Sequence, residues 1–436
     1  MIRFATALMA LLVTTSATAA LSPVEQRMIA TIDASQERDI ALLQKLVDQN
    51  SGTRNFEGVR AVATMMQAEL EPLGFTVRWV PTPEVNRAGH LIAEHKGRGK
   101  HILLIGHLDT VFEKDSPFQK MVRRGDTVEG PGTSDMKGGL VIMLSALRAM
   151  KAAGTLQHAD IRIVLSGDEE SAGRPLDISR GAMIAAGKWA DAVLEFEGLA
   201  QQGGKDIGSI SRRGSITWTL TTTGHTAHSA GIFGKSDGFG ANYELARIID
   251  TFRRDLREPN LTYSVGIMMG GVTATPSATT EEAAGGAVQG KANIIAGQGY
   301  ATGDIRALSN DQALRIEDKM RAIVADHLPG TGAEISFGEG YPAMAPTEGS
   351  RALLGQLNGV NRDLGLEEMG ELDPMRRGAG DIAFVAPYTD GLVGTGAAGD
   401  GAHATGETAD LTSFPRQEKR AALLMTRLAK QKSAKR

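Results

Sequence analysis

The chain has nine histidines, 51 acidic residues and no cysteine, so a transition-metal site here has to be built from imidazole and carboxylate. His107 and Asp109 lie in GHLDTVF, directly after the apolar run HILLIG (101–106). Two apart on an extended chain, they point to the same side. The Asp109 carboxylate is then placed to accept the free ring N–H of a metal-bound imidazole and fix its tautomer. Asp135 lies in the Gly-bounded loop PGTSDMKGG (131–139). Asp168, Glu169 and Glu170 follow one another in SGDEES (166–171), Glu195 and Glu197 fall in LEFEG (194–198), and His403 lies in GAHATGE (401–407). Taken singly, Asp135 reads as a helix N-cap and the 168–170 run as a solvated acidic turn. Taken together they gather carboxylates that repel one another unless cations neutralise them. Two imidazoles and three carboxylates suit two Zn²⁺ or similar ions sharing a bridging group. Such ions, roughly 3.5–4 Å apart, make water nucleophilic and polarise a carbonyl, and one carboxylate must stay off them as base. Spacing leaves Glu195 and Glu197 equivalent.

The elements that must position these residues are short apolar runs alternating with helical ones. HILLIG, IRIVLSG (161–167) and AVLEFE (192–197) read as strands, with a helix of about 139–153 between the first two. In an open α/β sheet ligands bind beyond the carboxyl ends of the strands, where each of these three runs ends in imidazole or carboxylate. Spacings of three and four from Ser22 to Leu73 predict a helix that Gly74 ends. The texture changes near Gly214. SITWTLTTTG alternates like a half-exposed antiparallel strand and offers an edge for pairing across a two-fold axis. Helices at about 240–256 and 312–327 and the strand-like GYATGDIRAL complete an α+β sandwich. The expected architecture is an α/β catalytic domain with a mostly parallel central sheet, in two parts (21–213 and 341–436), around a smaller inserted α+β domain (214–340), for which the resemblance described below implies a lid and dimerisation role.

A length of 436 residues fits two or three domains. A net charge of −4 argues against a nucleic-acid partner. Residues 1–20 (MIRFATALMALLVTTSATAA) have one early cation, an apolar stretch and an Ala-Thr-Ala cleavage-like site. They read as a signal peptide, which makes the expected product an exported, periplasmic or secreted protein with no membrane segment after processing.

In this order, GHLDTVF, PGTSDMKGG, GDEESAG, LEFEG, GHTAHSAG and GAHATGE resemble the M20 family of dinuclear zinc peptidases, and within it the secreted glutamate carboxypeptidase (carboxypeptidase G-like) group. The resemblance covers nearly the whole chain. It implies two Zn²⁺ per subunit, with Co²⁺ a workable substitute, held by His107, Asp135, Glu170, Glu197 and His403, with Asp135 as the bridge and a cis peptide to Met136. The Phe-Glu pair of the family aligns with Phe196-Glu197, which favours Glu197 over Glu195 by analogy. Glu169 matches the general base and Asp109 the carboxylate behind the metal ligand. His228 matches an active-site histidine of the inserted domain, Asn293 and Arg306 match residues that bind the substrate's terminal carboxylate, and Gly380 matches a glycine near the substrate. The implied reaction releases a C-terminal amino acid, glutamate foremost, from an N-acyl or peptidyl substrate, in a homodimer formed through the inserted domain. Alternatives are an aminoacylase, deacetylase or dipeptidase of the same family, or a catalytically inactive binding protein of the same fold. The sequence departs from the family at Gly378-Ala379-Gly380-Asp381 and by one extra residue before Glu407.

Overall fold

The computed structural model describes residues 21–277 and 285–435, and the signal-peptide reading of residues 1–20 lies outside them. The chain opens with three helices, α1 (Pro23–Asp33), α2 (Gln36–Asp48) and α3 (Phe56–Leu70). This corrects the single helix expected over 22–73. The breaks come where short polar side chains bind the backbone and restart the turn. The Ser35 hydroxyl donates to the Ile32 carbonyl and to Asp39, and Asn55 accepts the Gly58 N–H at 3.1 Å. Ser22 and Glu25 form a capping box at the start of α1.

Next come β1 (Thr76–Thr82), β2 (Arg87–His95), β3 (Arg98–His107), α4 (Lys137–Ala152), β4 (Ala159–Ser166), α5 (Gly181–Trp189) and β5 (Ala192–Glu195). After an excursion the chain returns to add further elements to this body. The excursion consists of β6 (Ile216–Gly224), α6 (Ala241–Asp255), β7 (Ile267–Gly271), β8 (Gln298–Arg306), α7 (Asn310–Ala325) and β9 (Thr331–Phe337). The returning elements are α8 (Glu348–Asp363), β10 (Gly391–Val393) and α9 (Ser413–Ala429).

The six-stranded central sheet runs β1-β2-β4-β3-β5-β10. Its four strands from β4 to β10 are mutually parallel, while β1 and β2 are antiparallel additions at one edge. The parallel register sets His107 opposite Ser166 and Ile105 opposite Glu195. The segments after β3, β4 and β5 therefore leave the sheet at one edge, which brings GHLD, SGDEES and LEFEG together. Helix α4 is buried along Leu140–Leu144, as expected of a helix apolar nearly all round. At its start the close approach of Gly139 to the Phe196 carbonyl leaves 1.9 Å for a Cβ. Only glycine fits, and the loops of Asp135 and Glu197 thereby come into contact range.

The inserted unit is an antiparallel sheet, β7-β8-β6-β9, with Thr262–Tyr263 also pairing along β8. Trp218 and Leu220 of β6 pack on Leu245, Ile248 and Phe252 of α6 and on Ile316 and Met320 of α7. Strand β6 has β8 on one side and β9 on the other, so it is central rather than an edge. That corrects the expected pairing role for SITWTLTTT. Alternation reports a half-buried face, and a central strand with one solvated face carries the same pattern. Two antiparallel crossings join the units, Arg212 with Met344 and Ser215 with Tyr341.

Candidate metal centre

Asp135 stands between two imidazoles. Its Oδ1 lies 3.0 Å from His107 Nε2 and its Oδ2 lies 3.2 Å from His403 Nε2. Glu197 approaches the same His107 nitrogen at 3.3 Å and Glu170 the same His403 nitrogen at 3.0 Å. The cluster thus divides into two half-sites sharing one carboxylate: His107 with Glu197, and His403 with Glu170. Ligand atoms of His107, Asp135 and Glu170, and likewise of His107, Glu169 and Glu197, lie within 4.8 Å of one another. The peptide bond from Asp135 to Met136 is cis.

The electrostatics fit a pair of divalent cations. Burial pushes Glu169 well up, and the neighbouring carboxylates Asp381, Glu197 and Glu170 add to this against His107. Burial and Asp135 raise Glu170 to about 7 against the pull of His403. Hydrogen bonds to Asp135 and Glu170 push His403 up to about 11. Burial disfavours a charged His107, yet Asp109, Asp135 and Glu197 hold it well above its ordinary range. Without metal the imidazoles must act as the cations. The donor set, two imidazoles and acidic oxygens with no thiolate, is suited to Zn²⁺ and related ions.

The surrounding residues hold this arrangement in place. His107 Nδ1 hydrogen-bonds to the Asp109 main-chain carbonyl at 3.0 Å, with the Asp109 carboxylate at 3.5 Å. The carboxylate expected to orient the imidazole thus faces the ring at the longer distance, and its oxygens have further partners. They accept the Glu169 N–H at 3.1 Å, the Glu170 N–H at 3.2 Å and the Thr53 hydroxyl at 2.6 Å. Asp109 therefore fixes the acidic turn as well as facing the imidazole. Beneath that turn Arg180 is fully buried and binds Asp168 at 2.6 Å, Asp381 at 2.7 Å and the Tyr341 hydroxyl at 2.7 Å. Tyr341 in turn donates to the Glu169 carbonyl at 3.0 Å. The ambiguity between the two glutamates of LEFEG resolves in space. Strand β5 ends at Glu195, whose carboxylate binds Arg212 at 2.8 Å and the Ile382 N–H at 2.7 Å, while Glu197 turns to His107.

The family model for peptidase family M20/M25/M40 matches residues 103–427. The chain belongs to this family. Carboxypeptidase G2 of Pseudomonas sp. (strain RS-16) is 28% identical over 408 residues, covering 88% of each chain. Succinyl-diaminopimelate desuccinylase of Rhodospirillum centenum is 32% identical over 176 residues, 38% of this chain and 45% of that one. Among solved structures, a tripeptidase from Staphylococcus aureus superposes with a TM-score of 0.68 at 17% identity, covering 91% of this chain and 99% of that one. A dinuclear metal-binding peptidase of the M20 family from Bacillus subtilis superposes with a TM-score of 0.62 at 15% identity, covering 90% and 98%. The two structural likenesses concern the fold. This M20 chain is a hydrolase of the peptidase and amidohydrolase type.

The remaining expected site residues of this M20 chain divide between the inserted domain and the border of the cluster. His228 and Asn293 are neighbours on the inserted domain. His228 bridges to Ile294, the Ser229 N–H donates to the Asn293 carbonyl at 2.9 Å, and the exposed His228 ring accepts the Ala230 N–H at 3.2 Å. Among the described residues no hydrogen bond or ion pair links either of them to the carboxylate cluster. Arg306 ends β8, donates to Asp304 at 2.8 Å and faces Gly378. Gly380 lies against Arg212, where a Cβ would come within 2.2 Å of Nη1. Arg212 also lies 3.7 Å from Glu197, so Gly380 makes room for the cation that flanks a candidate ligand.

Sequence reasoning missed Glu407 as a functional residue. Its carboxylate accepts N–H bonds from Gly132 at 2.9 Å, Ser134 at 2.8 Å and Asp135 at 2.9 Å, and the Ser134 hydroxyl at 3.0 Å. The available signal was its place four residues after His403, on the return of the same loop.

Proposed function

We propose that this chain is an exported, zinc-dependent carboxypeptidase that hydrolyses an amide and releases a C-terminal amino acid, glutamate foremost, from an N-acyl or peptidyl substrate. The observation that carries the reading is Asp135, whose two oxygens face two different imidazoles, each with its own second carboxylate. His107, Asp135 and Glu197 would hold one ion, and His403, Asp135 and Glu170 the other. Bound there, the ion pair supplies Lewis acidity, lowering the pKa of water and polarising the scissile carbonyl. Glu169 takes the proton from the attacking water and returns it to the leaving nitrogen. Asp109 and Tyr341 keep the Glu169 backbone in place while it does so. His228 donates to the developing oxyanion, and Asn293 and Arg306 bind the terminal carboxylate, Arg306 through its planar fork.

The inserted domain is the proposed homodimer interface, and association would bring His228 to a cluster with which, among the described residues, it shares no hydrogen bond or ion pair within one chain. The resemblance to carboxypeptidase G2 over 88% of the chain supports the carboxypeptidase reading over an aminoacylase or desuccinylase. Intact Glu169 and a full donor set weigh against an inactive binding protein. The deciding experiment measures kcat/KM of Zn²⁺- or Co²⁺-loaded protein for N-acyl substrates ending in glutamate, aspartate and neutral residues. Preference for glutamate and loss of turnover on chelation, restored by either metal, are expected. Turnover insensitive to a chelator would remove the assignment.

A further inference from the structure

Beside the carboxylate cluster is an open pocket of about 270 Å³, lined by Asp135, Glu197, Gly198 and Gln201 together with Arg376 and Arg377. Arg377 is anchored at one end, its Nη2 donating to the carbonyl of Gly198, the residue after Glu197. Its Nε is buried without a partner, and among the described residues no carboxylate forms an ion pair with it or with Arg376. Burial, then the Arg212 guanidinium, holds Arg377 below the ordinary arginine range, against the pull of Glu197, Glu195 and Asp135.

The neighbouring arginines are committed elsewhere. Arg212 binds Glu195 and flanks Glu197, and Arg213 donates to the Thr262 hydroxyl at 2.6 Å and the Met375 carbonyl at 3.2 Å, while Arg306 is the arginine already assigned to the terminal carboxylate. Asp400 also lines the pocket, but it is exposed and pairs with neither arginine. Positive charge at the pocket is thus left for something other than the protein, next to acids that the metal pair would neutralise. A guanidinium held by one nitrogen keeps its remaining donors for an incoming anion, and a carboxylate matches them in charge and shape.

We propose that Arg377, with Arg376 at the rim, forms a carboxylate subsite that reads a second anionic group of the substrate, distinct from the terminal carboxylate assigned to Arg306 and Asn293. This rests on the amide hydrolysis proposed above. The second carboxylate belongs either to the acyl half or to the side chain of the leaving amino acid, and the test separates the two.

The test compares kcat/KM of the zinc-loaded wild type, Arg377→Met and Arg377→Lys on three substrates. N-acetyl-leucine has one carboxylate, N-succinyl-leucine has a second on the acyl half, and N-acetyl-glutamate has a second on the leaving half. The wild type is expected to favour one dianion over N-acetyl-leucine, and the favoured one identifies the half. Arg377→Met should cut that ratio at least about tenfold, through KM, with Arg377→Lys in between. An unchanged ratio in Arg377→Met, or a wild type indifferent to the second charge, overturns the subsite and leaves the hydrolysis standing. Metal content and melting temperature report whether Arg377→Met is folded, and if it is not, the ratio in Arg377→Lys decides. If the wild type cleaves none of the three, the functional reading fails. The subsite is then judged by calorimetric binding of glutarate to zinc-loaded protein, where equal affinity in wild type and variant, or no binding at all, overturns it.

Discussion

Glu407 accepts the main-chain N–H of Asp135 at 2.9 Å, so the residue that joins the two half-sites is held by an acid from the far end of the chain. The same Glu407 oxygen takes the Ser134 N–H, and the other takes that of Gly132. Glu407→Gln turns one acceptor into a donor and sets an NH₂ group against a backbone N–H. The expected result is a loss of about 10–100-fold in metal affinity or kcat/KM. Metal titration together with steady-state kinetics checks it, and wild-type values in both would show that the loop holds its shape unaided.

Glu169→Gln keeps the volume of the side chain and removes its basicity. Both metals should remain bound, with kcat lower by about 10²–10⁴. Elemental analysis and kinetics on the same preparation separate a lost base from a lost ligand.

Asp135→Asn leaves one carbonyl oxygen where two carboxylate oxygens faced two imidazoles. Metal content should fall from two ions per chain towards one, with activity lost alongside. Retention of two tightly held ions would contradict the bridging role.

Far from the site, Glu418 on α9 is fully buried, accepts a hydrogen bond from Gln36 at 2.7 Å and lies near Asp39. Burial, then Asp39, raises it to about 8. An acid that binds its proton more tightly when folded stabilises the fold at low pH and loses that contribution as pH rises through its folded value. Stability should therefore decline from about pH 4.5 to about pH 8 on this account. Glu418→Gln should remove the decline and gain roughly 2–4 kcal/mol at the alkaline end. Urea unfolding of both proteins at equal metal loading, from pH 5 to 9, measures the difference.

The catalytic sheet was legible because β3, β4 and β5 are buried on both faces and show up as apolar runs. Their carboxyl ends carry His107, Asp168–Glu170 and the Glu195/Glu197 pair in plain sight of the sequence. Three features were not legible, each for a physical reason. The helix breaks at Ser35 and Asn55 depend on side chain-to-backbone hydrogen bonds that apolar periodicity does not record. The central place of β6 depends on β9, a strand more than 100 residues later, and alternation counts faces rather than neighbours. The supporting acids and cations, Glu407, Arg180 and Arg212, act through contacts across 201 to 275 residues of chain or through a close pair hidden among many charges. No local spacing distinguishes them from solvated surface residues.

His107 sits at the end of a buried strand with 1% of its side chain exposed, whereas His403 rides a loop with 58% exposed and a φ of 65°. Ions held in the two half-sites are therefore expected to differ in residence time. On dilution the ion at the His403 end should depart first and that at the His107 end much later, which opens a route to mixed occupancy, with cobalt admitted to the labile half and its visible spectrum reporting on that half alone.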